Sequence, residues 1–130
     1  MDKFDHVFNI TSSFLLNNPV HIGEIGGKIV AFWGIKIKEQ GASAQLEYMY
    51  VSVHHLGEGI GKNMWRDLTT WCKEHHVEKL TFVTSEQAVR FYEKMGAKRY
   101  GETFSEIDGR LIPCLVFLID QQPLAENKMI

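Results

Sequence analysis

The order of elements is decided by LEYMYVSVHHLGEGIGKNMW, residues 46–65. The first half belongs to residues 44–53, where apolar and aromatic side chains alternate as they do in a β-strand. The second half opens residues 60–75, where apolar residues recur at helical spacing. Three glycines separate the halves: Gly57, Gly59 and Gly61. The stretch therefore predicts a strand, a glycine-rich loop and a long helix, in that order.

A glycine-rich loop at the start of a helix is typical of an anion site. Glycine lets the backbone approach a ligand closely, and the first amides of a helix have no partner within it. The helix dipole and Lys62 favour an anion such as a pyrophosphate. The P-loop motif fits poorly, because three residues rather than four separate Gly57 from Gly61 and Asn63 replaces the hydroxyl residue. The dinucleotide-binding motif needs a third glycine where Lys62 stands.

Upstream of this stretch, the sequence predicts a β-hairpin. Residues 21–25 and 28–38 are rich in β-forming residues and are joined by Gly26 and Gly27. Residues 1–19 are the least readable segment, with apolar residues that fit one or two short helices.

Downstream of the long helix, the pattern predicts a strand over residues 77–84 and a helix that ends at Gly96. Two further strands, residues 98–104 and 111–119, follow around a turn at Asp108-Gly109. Because proline cannot donate to a strand ladder, Pro113 is expected at a strand start, a bulge or an edge. The tail, residues 120–130, is polar and is expected to fray. The pattern predicts an α+β fold with helices packed on a mixed sheet.

Composition bounds the class of protein. The chain has 130 residues, of which 45% are hydrophobic and 23% charged, so a single domain over residues 1–130 is expected. A net charge of −2 supplies no basic surface for nucleic acid or anionic lipid, and we expect neither partner. No run is long enough to span a membrane and the start is too polar for a secretory signal, so a cytoplasmic location is expected.

Cysteine and histidine usage predicts neither a disulfide nor a metal site. Cys72 and Cys114 fall in a predicted helix and a predicted strand, and both are expected to be reduced and structural. The six histidines include two adjacent pairs, but adjacent residues face different directions. Solvated or helix-capping histidines are the better interpretation.

Two segments give the sequence a family resemblance. LGEGIG resembles the acetyl-CoA motif Q/R-x-x-G-x-G/A of the GNAT superfamily of N-acetyltransferases, with Gly59 and Gly61 at its small positions. AVRFYEKMGAKR, residues 88–99, resembles the later A-x-x-F-Y-x-x-x-G-F/A segment. The resemblance extends over residues 20–119. Leu56 departs from the motif, in which Gln or Arg is usual.

This resemblance implies a three-layer fold and a cosubstrate. The fold would have a central, mostly antiparallel mixed sheet, helices on both faces and a splayed strand pair that holds acetyl-CoA. The loop expected to bind the pyrophosphate comprises Gly57, Glu58, Gly59, Ile60, Gly61 and Lys62. The strand expected to pair with the pantetheine arm contributes Met49, Tyr50 and Val51.

Two residues are candidates for proton transfer. Tyr92 matches the family tyrosine near the cofactor sulfur, and a phenol is protonated at neutral pH and can act as a general acid. Alternatively, it is only a core aromatic residue. Glu47 is an acid in an otherwise apolar and aromatic strand, on the side of Met49 and Val51 if the strand alternates regularly. It is therefore the candidate base, unless it faces solvent or only attracts a cationic substrate. Ser85 stands where many members carry Asn.

The sequence thus predicts an acetyl-CoA-dependent N-acetyltransferase that acts on a primary amine. The resemblance implies a small molecule or a peptide as the acceptor, direct attack in a ternary complex and no metal. A non-catalytic acyl-CoA-binding regulatory module of the same fold is the alternative. Exposed strands and aromatic residues such as Trp33 or Phe104 make a homodimer possible.

Overall fold

The computed structural model describes residues 11–119 and contains one six-stranded sheet. The strands are β1 (Val20–Ile25), β2 (Lys28–Lys38), β3 (Ser43–Val51), β4 (Lys79–Val83), β5 (Lys98–Phe104) and β6 (Leu111–Leu118). The helices are α1 (Ser12–Asn17), α2 (Ile60–Glu74) and α3 (Glu86–Lys94). The strand order is β1-β2-β3-β4-β6-β5, in which β3 and β4 are parallel and all other neighbours are antiparallel. The predicted α+β class is confirmed.

The predicted hairpin at the start of the sheet is confirmed. Ile25 pairs with Lys28, and the two residues between them, Gly26 and Gly27, have φ angles of 58° and 81°. Positive φ at both positions defines the tight turn that matches the twist of antiparallel strands. The Gly-Gly pair therefore fixes the register of β1 on β2.

The main core lies between the sheet and the two longer helices. Helix α2 buries Met64, Trp65, Leu68 and Cys72 against the sheet. Helix α3 buries Val89 and Tyr92. Burying an aromatic or aliphatic side chain of this size stabilises a fold by roughly 2 kcal/mol, so this face supplies most of the apolar driving force. The amphipathic pattern predicted for both helices is confirmed.

The opposite face of the sheet carries α1. Phe14 of α1 packs edge-on against Tyr48 at a ring-centroid distance of 5.0 Å. Phe32 lies between Tyr48 and Tyr50, with ring-centroid distances of 6.2 and 5.4 Å. Gly34 is needed beneath this cluster, because a Cβ there would lie 3.0 Å from the Phe14 ring and 3.2 Å from that of Tyr48. Helices thus cover both faces of the sheet, as in the predicted three-layer arrangement.

Two local expectations are wrong. Pro113 is the third residue of β6, which is an inner strand rather than an edge. It is tolerated because its carbonyl accepts from Thr84 N at 3.1 Å, one residue past the end of β4. The proline nitrogen, which has no hydrogen to donate, therefore faces a point where the ladder with β4 has finished. Trp33 is not available to a dimer interface, because it is fully buried in the main core. Phe104 is 69% exposed.

Candidate active site

The site begins where β3 and β4 diverge. Their parallel pairing joins Ser43–Gln45 to Lys79–Thr81 and extends no further. β3 continues to Val51, and within residues 11–119 no strand pairs with its β4-facing edge over residues 46–51. A strand edge that no other strand covers can pair with an extended ligand.

A β-bulge in β3 accompanies this divergence. Tyr48 pairs with Gly34 and Leu46 with Ile35, so Glu47 is an extra residue without an opposite partner. Glu47 was predicted to lie on the side of Met49 and Val51 because strand residues alternate regularly. That alternation does not hold across the bulge. Leu46 and Met49 both contact the main core, although three positions separate them. A bulge increases the local twist of a strand, which helps to turn β3 away from β4.

The glycine-rich loop connects β3 to α2 at the wide end of the gap. Gly57 and Gly59 have φ angles of 85° and 83°, in the left-handed region that favours glycine. Gly59 is the N-cap of α2, and no side chain caps the first turn. The first helical bond runs from Asn63 N to Gly59 O at 3.0 Å, so the amides of residues 60–62 have no partner within the helix. This is the geometry of an anion site.

A cleft of about 500 Å³ lies between this loop, β3 and α3. Its lining includes six of the residues predicted to bind the cofactor: Met49, Val51, Gly57, Gly59, Gly61 and Lys62. The cleft is narrow beside Gly61, because a Cβ added there would be in van der Waals contact with the Phe91 ring at 3.5 Å. The cleft thus joins the anion site to the unpaired edge of β3.

Three other predicted cofactor residues do not line this cleft with their side chains. The Tyr50 ring stacks on Phe32 on the opposite face of the sheet. Ile60 packs against the main core. The Glu58 carboxylate contacts His55 instead, with 3.0 Å between Oε1 and Nδ1. The cofactor contacts expected of these three residues stay a prediction.

A second cavity of about 200 Å³ lies deeper in the gap. It is lined by residues of β3 and of the end of β4, among them Glu47, Met49 and Thr84. Glu47 is an exposed residue, and within residues 11–119 no hydrogen bond or ion pair holds its carboxylate. It is the only acidic residue in the lining, so the cavity favours a cationic group.

Tyr92 connects the two cavities. Its side chain is 7% exposed and lines both, as does Met49. Burial raises the pKa of the Tyr92 phenol to about 12, because the phenolate is poorly solvated there. The hydroxyl has no hydrogen-bond partner among residues 11–119 and is protonated at neutral pH. The Tyr92 hydroxyl therefore carries a proton at the boundary between the two spaces.

Four cleft residues were not predicted as site residues: His55, Leu56, Ala88 and Phe91. Ala88 lies one helical turn before Tyr92 and three residues before Phe91, so the i, i+3 and i, i+4 spacing of α3 carried a signal for both. His55 and Leu56 lie in the loop after β3, where no periodic pattern exists to assign a facing direction. Across residues 11–119, His, Cys, Asp and Glu side chains form no cluster suited to a metal ion.

The sequence family of the chain agrees with this geometry. A family model described as Acetyltransferase (GNAT) family matches residues 3–97, which is most of the chain. The protein is therefore an acyltransferase by class. It belongs to the GNAT family of acetyltransferases.

Solved structures share the fold at low sequence identity. An aminoglycoside 6'-N-acetyltransferase complexed with coenzyme A superposes with a TM-score of 0.78 at 13% identity, covering 94% of this chain and 89% of that one. An IAA acetyltransferase from Bacillus cereus gives 0.74 at 16% identity, covering 82% and 81%. The ribosomal-protein-S18-alanine N-acetyltransferase from Escherichia coli gives 0.71 at 17% identity, covering 92% and 77%.

No curated protein sequence matches the chain significantly. Among the described residues, no helix has the length and apolar character needed to cross a membrane.

Proposed function

We propose that this protein transfers the acetyl group of acetyl-CoA to a primary amine of a small molecule or peptide, by direct attack in a ternary complex. The observation that carries the proposal is the position of Tyr92, whose side chain lines both cavities. The larger cleft holds the acyl donor and the smaller one admits the amine. The thioester and the attacking nitrogen then meet beside the phenol.

The residues of the larger cleft fit acetyl-CoA. Free amides over residues 60–62 and the Lys62 ammonium offer donors to a diphosphate. The unpaired edge of β3 offers backbone groups to the amides of a pantetheine arm. The structural neighbour that contains coenzyme A has the same fold and supports this choice of donor. When bound, acetyl-CoA supplies an activated acyl group as its thioester.

The smaller cavity fits an amine acceptor. An aliphatic amine arrives as an ammonium ion at neutral pH, and the Glu47 carboxylate attracts it. A volume of about 200 Å³ admits an amine head group with a few attached atoms. Neighbours that act on an aminoglycoside and on a protein alanine are consistent with either a small molecule or a peptide as acceptor.

Glu47 and Tyr92 divide the proton transfers between them. Glu47 takes one ammonium proton, directly or through a water molecule, and leaves a nitrogen lone pair for attack. Tyr92 donates its phenolic proton to the sulfur as the carbon–sulfur bond breaks. The nitrogen loses its second proton, which restores the phenol. The products are the N-acetyl amine, coenzyme A as a thiol and one proton.

A direct test follows free thiol while purified protein is mixed with acetyl-CoA and a panel of amines. Cys72 and Cys114 are both buried, so the protein's own thiols contribute little background. Turnover with any amine eliminates a purely acyl-CoA-binding regulatory module. Tight binding of acetyl-CoA without turnover on small amines, peptides or proteins would overturn the catalytic proposal.

A further inference from the structure

A histidine and a glutamate lie together at the mouth of the larger cleft. His55 Nδ1 is 3.0 Å from Glu58 Oε1. The His55 side chain is 28% exposed and lines the cleft, whereas that of Glu58 is 53% exposed and does not. The imidazole therefore faces the ligand space and the carboxylate lies behind it, toward solvent.

Local backbone structure fixes the position of this imidazole. Val53–His55 form a 3-10 turn, in which the Ser52 side chain accepts from His54 N at 3.3 Å. The His55 amide donates to the Ser52 carbonyl at 2.9 Å. Because a carboxylate only accepts, Glu58 selects Nδ1 as a protonated nitrogen of the ring. That leaves Nε2 as the atom available to a ligand, and Nε2 donates only when the ring is an imidazolium.

The charged side chains that line the cleft do not balance the negative charge of a diphosphate without a second cation. The other titratable side chains that line it are Lys62 from α2 and Tyr92 from α3, while β3 contributes the uncharged Met49 and Val51. The Tyr92 phenol is neutral, since burial raises its pKa to about 12. A diphosphate carries more than one negative charge, and Lys62 alone does not balance it.

We propose that His55, held by Glu58, is a cationic ligand of the donor's diphosphate and that donor binding therefore takes up a proton near neutral pH. This inference rests on the proposed function, because it assumes that the larger cleft receives a coenzyme A thioester. His55 is thereby a binding residue of the loop, and Glu58 is the residue that positions its ring.

The test is isothermal titration calorimetry with dephospho-coenzyme A, in buffers that differ in ionisation enthalpy at about pH 7. This probe keeps the diphosphate but lacks the phosphomonoester, whose own proton equilibrium lies near neutral pH. Wild-type protein is expected to take up a fraction of a proton per ligand bound. His55→Asn should remove that uptake and weaken binding about fivefold, the loss expected for a partly exposed charge contact. The neighbouring His54→Asn is the matched control and should change neither quantity.

Glu58→Gln gives a second readout, because a structural role and a positioning role of Glu58 predict opposite changes in the affinity for dephospho-coenzyme A. Removing a carboxylate near an anion site strengthens anion binding if repulsion is all that changes. In the His55→Asn chain, where no imidazole remains to be positioned, Glu58→Gln should therefore strengthen binding. In the otherwise wild-type chain it should weaken binding, since a glutamine oxygen can still accept from Nδ1 but no longer supplies the negative charge that stabilises an imidazolium.

The outcomes separate the two proposals. If wild-type protein binds neither coenzyme A nor dephospho-coenzyme A, the proposed function fails and this inference fails with it. If the ligand binds without proton uptake, or if His55→Asn binds as tightly as wild type, only the role of His55 is overturned. Strengthened binding by Glu58→Gln in both backgrounds removes the positioning role of Glu58.

Discussion

The Tyr92 ring packs against the Phe82 ring with 4.7 Å between centroids. Phe82 is the first residue of β4 beyond its pairing with β3. Trp65 of α2 completes the cluster, with its ring centroid 5.5 Å from that of Tyr92. The phenol is thus held by two helices and by the strand that borders the gap. Such packing fixes the hydroxyl before a substrate arrives, as the proposed role of proton donor requires.

Tyr92→Phe should lower kcat by about 100-fold while leaving the KM for acetyl-CoA nearly unchanged. The substitution removes only the hydroxyl, which has no partner among residues 11–119, so the ring packing and the cleft are retained. Steady-state rates of thiol release measure both constants. Tyr100→Phe is the matched control, because Tyr100 is 62% exposed and lines neither cavity. Equal rates for Tyr92→Phe and wild type would remove Tyr92 from the chemistry.

Glu47→Gln should reduce kcat/KM by about 100-fold at neutral pH, and the deficit should shrink as the pH approaches the pKa of the amine. Glutamine keeps the size of the side chain but cannot accept a proton from an ammonium ion. A base is no longer required once the free amine is abundant. Rates measured against pH with a simple alkylamine test this.

The same variant distinguishes a base from a charge that only attracts the substrate. If Glu47 merely attracts a cation, KM for the amine rises while kcat is unchanged. Glu24→Gln on β1 is the control, since Glu24 is exposed and lines neither cavity. A rise in KM for the amine with kcat unchanged would contradict the role of Glu47 as a base.

Much of the fold could be predicted because local patterns and tertiary packing agree. The Gly26-Gly27 turn, the apolar stripe of α2 and the position of Gly96 after α3 each depend on a few neighbouring residues. Gly96 is also required by packing, because a Cβ there would lie 3.0 Å from Phe117. Where one residue type satisfies both conditions, sequence reasoning is reliable.

The site could be predicted less completely, because its details arise between distant segments. The bulge at Glu47 depends on how β3 registers with β2, and alternation alone cannot reveal it. The burial of Trp33 depends on α2, whose Asp67 Oδ2 accepts from Trp33 Nε1 at 2.8 Å. The position of His55 beside the cleft depends on a 3-10 turn. None of these features has a periodic signature along the chain.

Gly59→Ala should weaken binding of coenzyme A while Gly109→Ala should not. Both glycines have positive φ, 83° and 74°, and neither has an atom within 4 Å of an added Cβ. Backbone strain should therefore cost a similar amount of stability at each position, about 1 kcal/mol. Only Gly59 presents its backbone to the anion site at the start of α2. Calorimetric affinities and urea unfolding of both variants separate the two effects, and equal loss of affinity in both would contradict the loop assignment.

Folding stability should fall steeply above pH 9, because two buried groups resist ionisation in the native state. Burial raises the pKa of the Cys72 thiol from 9.0 to about 12 and that of the Tyr92 phenol from 10.0 to about 12. The unfolded chain loses these protons first, so the stabilisation is complete below about pH 9 and is lost as the pH rises toward 12. Each group costs about 1.4 kcal/mol per pH unit over its interval.

Urea unfolding at pH 8, 9, 10 and 11 measures this loss. Above pH 10, Tyr92→Phe should have a shallower dependence than wild type, since one of the two groups no longer titrates. Cys72→Ala should be less stable than wild type at pH 8, because it leaves a small cavity. Alanine has no thiol to ionise, so position 72 should contribute no loss of stability between pH 9 and 10. If the stability of the three proteins changes with pH in parallel above pH 9, neither side chain is buried as the fold requires.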